Sequence, residues 1–420
     1  MKRVFTPLTQ VVMALCLSTT AQSAQSQDDP EMIWAKVKAT NQFQRSVIAN
    51  SGVVVEHVAD DYVTVAGLQT EINQIKKKFD VEVSFPLKKN MLDYPGRDAR
   101  FHNYDELMAA VKSLAQNNPD IVKVTEIGRS IEGRPIVNIK ITEDAARNTQ
   151  SKPAIIFMGG HHAREHLSVE LPLMLAQYIV AKYRNGIQQA ENTLANREIH
   201  IIPIVNPDGS EYDIQDGNYK YWRKNRRRNA NGSYGVDLNR NYSFRWGTGG
   251  SSRSGSSDTF MGPKPFSEPE TQAIQRFVSQ QKNATMLVSF HTFSELILFP
   301  WGHSTSRISN QRDFEAHKRI ATQMSEWNGY RPMQASQLYV ASGITSDWAY
   351  GDQNLFAFTF ELDPKSRFEG GFYPGASKID VVFQKNLRPC LYMIGLADNP
   401  YKVLQNPSQR FGLRNSNILE

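Results

Sequence analysis

Three apolar runs each end in a residue that does not belong in a core. Ala154-Ile-Ile-Phe-Met158 runs into Gly159-Gly-His-His-Ala-Arg-Glu-His166, Met286-Leu-Val-Ser-Phe290 into His291, and Phe356-Ala-Phe-Thr-Phe360 into Glu361. Unbroken apolar strands are covered on both faces, which is the mark of a sheet enclosed by helices. Helical periodicity falls between them, over 105–116, 166–182, 268–281, 313–327 and 377–396, with further strands over 122–127, 136–141, 199–204 and 296–299. The fold class expected is α/β: a mostly parallel mixed sheet with helices on both faces.

The texture ahead of residue 99 is different. Gly52-Val-Val-Val-Glu-His-Val58, Tyr62-Val-Thr-Val65 and Val81-Glu-Val-Ser-Phe85 alternate as strands, and a helix is expected over 68–78. This reads as a small α+β domain placed before the α/β domain. The expected division is 1–24 an export signal, 25–98 the α+β unit, 99–400 the α/β domain and 401–420 a polar tail. Lys2 and Arg3, the apolar stretch over 11–17 and small residues up to Ala24 support the signal, and with it a secreted or periplasmic destination. The basic stretch from Lys88 to Arg100 reads as a processing linker. No other stretch is long and apolar enough to span a bilayer.

With 420 residues, 40% of them hydrophobic, the chain can build a large core. It needs one, because loss of a signal containing Cys16 leaves Cys390 alone and allows no internal disulfide. Cys390 sits in an apolar stretch and reads as a core residue. The net charge is a modest +6, densest at Arg223-Lys-Asn-Arg-Arg-Arg228. Such a run is usually a solvated face, and no nucleic-acid-binding motif accompanies it.

Ligands of open α/β sheets gather at the carboxyl ends of strands, where all three polar endings fall. A carboxylate such as Glu361 closing an apolar strand costs desolvation energy unless it has a partner or a task. A catalytic zinc takes three protein ligands from His, Asp or Glu and keeps one position open. His162 and Glu165, three apart, can meet across a turn, and His291 can complete the set. Taken singly each signal is weak. His162-Ala-Arg-Glu165-His166 also fits the H-x-x-E-H pattern of inverzincin metalloproteases, in which both histidines bind zinc. That geometry needs the whole motif within one helix, whereas a strand and two glycines precede His161 and place His162 in the turn.

These motifs and several others occur in the order of one family. Across residues 99–400 the chain resembles the zinc metallocarboxypeptidases related to carboxypeptidases A and B and carboxypeptidase T. The resemblance implies one Zn2+ per chain, held by His162, Glu165 and His291. Trp222-Arg223-Lys224 resembles the segment whose arginine polarises the scissile carbonyl. Gly235-Val-Asp-Leu-Asn-Arg-Asn-Tyr242 is similar to the segment whose Asn239 and Arg240 hold a terminal carboxylate. Leu338-Tyr339-Val-Ala-Ser-Gly343 resembles the loop of a mobile tyrosine, and Thr359-Phe-Glu361-Leu the strand end bearing the catalytic glutamate. Asp237 is then expected to orient His162, and Arg164 to contact the substrate upstream of the cut. The α+β unit resembles an activation segment by size and position.

Some positions depart from the family pattern. His166 replaces a tryptophan, Phe293 a tyrosine and Ile344 a pocket glycine, while Ser346 falls where a basic-specific enzyme carries aspartate. The implied activity is removal of single neutral, apolar C-terminal residues from peptides or proteins by a monomer, with an activating protease as a further partner. A zinc amidase acting on cell-wall peptides would use the same zinc and glutamate, but the Asn239-Arg240 pair favours a free α-carboxylate.

Overall fold

The computed structural model describes residues 32–86, 98–147 and 150–405. The export signal, the processing stretch up to residue 97 and the tail beyond residue 405 lie outside the described residues.

Residues 32–86 form an antiparallel sheet of β1 (Met32–Lys38), β2 (Val54–Val58), β3 (Tyr62–Leu68) and β4 (Val81–Pro86), in the order β2-β3-β1-β4. Its helices are α1 (Gln42–Ala49) and α2 (Gln69–Lys76). Alternate residues Ile33, Ala35 and Val37 of β1 and Val63 and Val65 of β3 pack against Ile48, Ile72 and Ile75. β1 and α1 were not among the elements read from the sequence.

The larger body is built on eight strands: β5 (Val122–Arg129), β6 (Pro135–Ile141), β7 (Ala154–Met158), β8 (Glu198–Ile202), β9 (Ala284–Thr292), β10 (Leu296–Phe299), β11 (Arg331–Gln334) and β12 (Phe356–Leu362). Their order is β11-β10-β12-β9-β7-β8-β6-β5. The central strands β12, β9, β7 and β8 are mutually parallel, and antiparallel pairs flank them at β10–β12, β8–β6 and β6–β5. The helices are α3 (Tyr104–Asn117), α4 (Leu167–Arg184), α5 (Gln188–Asn196), α6 (Pro207–Ile214), α7 (Pro269–Gln280), α8 (Gln311–Asn328), α9 (Thr345–Gly351) and α10 (Ile379–Leu396). The expected mixed α/β sheet is therefore present.

Strand periodicity divides the core between the two faces. Ile155, Phe157, Val288, Phe290, Phe358 and Phe360 face one way, into a cluster with α4, α8 and α10. Ile156, Met158, Leu287 and Ala357 face the other, against α7 and α9. Cys390 is buried in the first cluster, as expected. Among the described residues no helix is long and apolar enough to cross a membrane.

Two local expectations need correction. The basic run is not a solvated face: Arg223 and Lys224 are buried, Arg227 pairs with Glu268 at 2.7 Å, and Arg226 stacks over Tyr212 at 3.5 Å. The linker also ends earlier than Arg100. Asp98 is buried in the larger body, accepting from Ala376 N at 2.8 Å and from the Tyr219 hydroxyl at 3.0 Å.

The two units meet over a buried carboxylate. Glu71 accepts from Leu68 N at 2.8 Å, closing the first turn of α2, and bonds Ser257 of the larger body. Gly52 has φ +99°, and a Cβ there would lie 2.6 Å from Glu71 Oε1. Burial pushes the Glu71 carboxyl up to about 7. Because the folded value lies above the ordinary one, its contribution is complete below about pH 4.5 and is lost as pH rises through about 7. The loss amounts to about 3 kcal/mol. Glu71→Gln keeps the shape and removes the ionisation. Thermal melts should show little change at pH 4 and a Tm several degrees above wild type at pH 8.

Candidate active site

The first functional side chains stand in the turn between β7 and α4. Helix α4 begins at Leu167, so His162 and Glu165 lie ahead of it. Two glycines allow the turn. Gly160 adopts φ +63°, and a Cβ on Gly159 would sit 1.8 Å from the Ser168 carbonyl oxygen. His291 comes from β9 and registers beside Glu361 of β12.

His162, Glu165 and His291 converge, with one ligand atom from each within 4.8 Å of the others. His162 Nδ1 is 2.7 Å from Glu165 Oε1, His291 Nδ1 is 2.9 Å from Glu165 Oε2, and the two Nδ1 atoms are 3.1 Å apart. The outer nitrogens are engaged elsewhere: His162 Nε2 with Asp237 Oδ1 at 3.1 Å, and His291 Nε2 with the Ser289 hydroxyl at 3.1 Å. Asp237 accepts a hydrogen bond from Nε2–H, which leaves the His162 Nδ1 lone pair facing inward. Two imidazole nitrogens and a carboxylate so aimed are acceptors in need of a cation, and the mixed N/O set suits zinc. Burial opposes ionisation of Glu165, but His162 and His291 hold its carboxyl well below the usual range.

His166 turns away. Its Nε2 bonds Asp213 Oδ2 at 3.0 Å, and its ring lies among Phe101, Tyr219 and Tyr373. Of the two histidines in H-x-x-E-H, only the first joins the trio.

Around the trio, Arg223 holds Asp237 through Nε and Nη2, both at 3.0 Å, and its Nη1 lies 3.8 Å from Glu165. Glu361 keeps part of its surface open to the cleft. Burial, followed by the nearby Glu165 carboxylate, pushes its carboxyl well above the usual range, against the pull of Arg223 and Arg240.

On one side, Asn239 Nδ2 reaches to 3.4 Å from His291 Nε2, while its Oδ1 accepts from Thr345 N at 2.8 Å and Thr345 Oγ1 at 2.9 Å. Arg240 is fixed through Nε to the Gly250 carbonyl at 2.9 Å, and its Nη2 lies 3.4 Å from the Tyr339 hydroxyl. Ile344 and Ser346 flank Thr345 and are buried, at 8% and 2% exposure. The Ile344 Cδ1 lies over Gly302, 2.4 Å from where a Cβ would stand. Asp347 is fully engaged by Gly302 N, His303 N and His303 Nδ1, at 2.8, 2.8 and 2.7 Å.

Arg164 lies beside the trio and is buried. Its Nη1 bonds the Tyr221 carbonyl and Asp258 Oδ2, each at 3.1 Å, and its guanidinium lies over the rings of Tyr221 and Phe372 at 4.5 and 4.4 Å. The structure thus gathers Glu165, Asp237, Arg223, Asn239 and Glu361 around His162 and His291, with Arg240 and Tyr339 beyond Asn239, Arg164 on the other side, and Ile344 and Ser346 on either side of Thr345.

Two contributors were missed by the sequence reading. His161 bonds the Tyr242 hydroxyl at 2.8 Å and stacks on His291, with ring centroids 5.5 Å apart. Thr345 joins His161 Nε2 to Asn239. The doubled histidine was the available signal for the first; nothing local marks the second.

A buried His-Glu-His trio at the carboxyl edge of a parallel sheet, with a free-standing glutamate and fixed guanidinium groups beside it, defines a mononuclear metal-dependent hydrolase. The family profile described as zinc carboxypeptidase matches residues 107–388. A zinc carboxypeptidase of Saccharothrix mutabilis subsp. capreolus is 32% identical over 89% of this chain and 91% of its own length. Zinc carboxypeptidase A 1 of Drosophila melanogaster is 33% identical over 75% of this chain and 74% of its own. The crystal structure of carboxypeptidase A from Helicoverpa armigera superposes with a TM-score of 0.72 at 26% identity, covering 89% of this chain and 98% of that one. The chain belongs to the zinc carboxypeptidase family, and its activity is zinc-dependent hydrolysis of C-terminal peptide bonds.

Metal analysis tests the trio directly. His291→Ala should lose most of the single zinc, whereas His166→Ala should retain it.

Proposed function

We propose that the enzyme releases neutral, small to medium C-terminal residues, and that residues 32–86 hold it latent until the chain is cut in the stretch before Asp98. The observation that carries the specificity reading is the state of the pocket acids. Ser346 offers no charge, and the Asp347 carboxylate is already engaged by two backbone N–H groups and His303. A lysine or arginine side chain entering there would bury an unpaired charge, which costs several kcal/mol. Ile344 lying over Gly302 narrows the same pocket against the largest aromatic side chains.

His162, Glu165 and His291 hold the zinc in this reading. Zinc bound there would supply an activated water, its pKa lowered to about 7, and a Lewis acid for the scissile carbonyl. Arg240 and Asn239 grip the terminal carboxylate, a planar fork and an amide suited to a free carboxylate rather than a blocked end. The Tyr339 hydroxyl closes over it. Glu361 takes the proton of the attacking water and returns it to the leaving amine. A carboxylate can serve both halves of that transfer, as base and then as acid. Arg223, oriented by Asp237, places fixed positive charge where the oxyanion develops.

Latency is supported by where the N-terminal unit touches the cleft. Asn50 Oδ1 accepts from Gly250 N at 2.6 Å, beside the carbonyl that fixes Arg240. Ser46 Oγ accepts from Val340 N at 3.2 Å, next to Tyr339, which itself packs against the unit's apolar core. Export from the cell belongs to the same reading and rests on the N-terminal sequence alone.

Glu361→Gln should keep its zinc and its melting temperature yet lose roughly 10²–10⁴-fold in kcat, because an amide cannot accept the proton; near-normal turnover would remove Glu361 from the mechanism. For specificity, a matched peptide series ending in Ala, Leu, Phe, Glu and Lys should rank Ala and Leu highest in kcat/KM and Lys among the poorest. Lys in first place would mean that an acid other than Asp347 serves the pocket.

A further inference from the structure

Glu56, on β2, is a charged side chain with no exposed surface. Both carboxylate oxygens are held from the larger body: Oε1 by the Tyr221 hydroxyl in a close hydrogen bond, Oε2 by Arg367 Nη1 at 3.2 Å. Arg367 Nη1 also donates to the Tyr221 hydroxyl at 2.8 Å, and Ser294 Oγ donates to the Glu56 backbone carbonyl at 3.1 Å. The Tyr221 ring is backed by Arg164 at 4.5 Å and by the edge of Phe372 at 5.3 Å. Asp258 is bonded to Arg164, and Asp213 to His166 and Tyr373.

A buried carboxylate is tolerable only where charge-assisted hydrogen bonds replace its water. This patch supplies them on a surface that is part of the cleft. Arg164 adjoins the ligand Glu165 and bonds the Tyr221 backbone, while Tyr221 stands two residues before Arg223. Arg164, the side chain expected to meet the substrate upstream of the cut, thus leads through the Tyr221 backbone to the Tyr221 hydroxyl and Arg367.

We propose that Arg367 and Tyr221 form a subsite for an acidic side chain of the substrate, upstream of the scissile bond, and that Glu56 fills this subsite in the intact chain. The preferred substrates are then peptides with a neutral C-terminal residue and a glutamate or aspartate further back. The N-terminal unit covers the cleft partly by presenting the carboxylate that such a substrate would present. This inference rests on the carboxypeptidase reading of the cleft and on release of the N-terminal unit.

The test uses the zinc-loaded full chain after protease treatment has brought its activity to a plateau. Matched peptides carry Glu, Gln or Lys at each upstream position in turn. At one position Glu should exceed Gln in kcat/KM by about tenfold, the scale of one charge-assisted hydrogen bond, with Lys poorest. Arg367→Gln should bring Glu and Gln level, and Tyr221→Phe, which removes only the hydroxyl, should narrow the gap. Equal rates for Glu and Gln in wild type, or a Glu preference that survives in Arg367→Gln, overturn the proposal. Titrating the same peptides calorimetrically into the zinc-stripped treated chain gives an answer free of turnover. Tighter binding of the Glu peptide, lost in Arg367→Gln, upholds the subsite even where no peptide is cut, an outcome that would count against the carboxypeptidase reading alone. Equal affinities would sink the subsite itself.

Discussion

Two imidazole nitrogens and a carboxylate are aimed at one another, 2.7–3.1 Å apart, inside a wall of buried strands. The arrangement exists because each acceptor is fixed from behind. Asp237 fixes the ring of His162, Ser289 and His161 that of His291, and the Thr292 amide steadies Glu165 at 3.2 Å. Asp237 is in turn kept ionised, against its burial, by Arg223 and His162. The polar interior of the domain is thus a chain of charge compensation that ends where a divalent cation belongs. The fold serves this by ending parallel strands at the same edge and by using Gly159 and Gly160 where any side chain would push α4 away.

The N-terminal unit extends the same logic across a domain boundary. It touches the larger body through backbone carbonyls, hydroxyls, the Asn50 amide and two buried carboxylates, alongside the apolar packing of Leu338 and Tyr339 on its core. Gly52 O accepts from Ser257 and Thr259 at 2.7 and 3.0 Å, while Glu71 and Glu56 find their partners across the contact. Contacts of this kind fix position closely and release more readily than a shared hydrophobic core.

Much of this was legible in the sequence, for physical reasons that differ by element. The runs at β7, β9 and β12 are apolar because both faces are covered, so their polar endings stand out, and the catalytic cleft is assembled from those endings. β1 and α1 lack so clear a pattern. β11 is a short edge strand containing Pro332, which only its neighbour β10 makes a strand. The basic run was misread because pairing with Asp237, Glu268 and aromatic rings depends on residues far along the chain. Glu56 was invisible as well: in the sequence it is one more polar residue in an alternating strand.

Thr345 sits between the two walls of the pocket and also carries the amide and hydroxyl that orient Asn239. In the specificity proposed above, Ile344 and Ser346, its neighbours, face the side chain of the departing residue, while Asn239 faces that residue's carboxylate. Reshaping either wall shifts the same short stretch of backbone that aims the amide. A lineage that altered its taste in side chains here would retune its hold on the chain end at the same time, so selectivity and grip are inherited together.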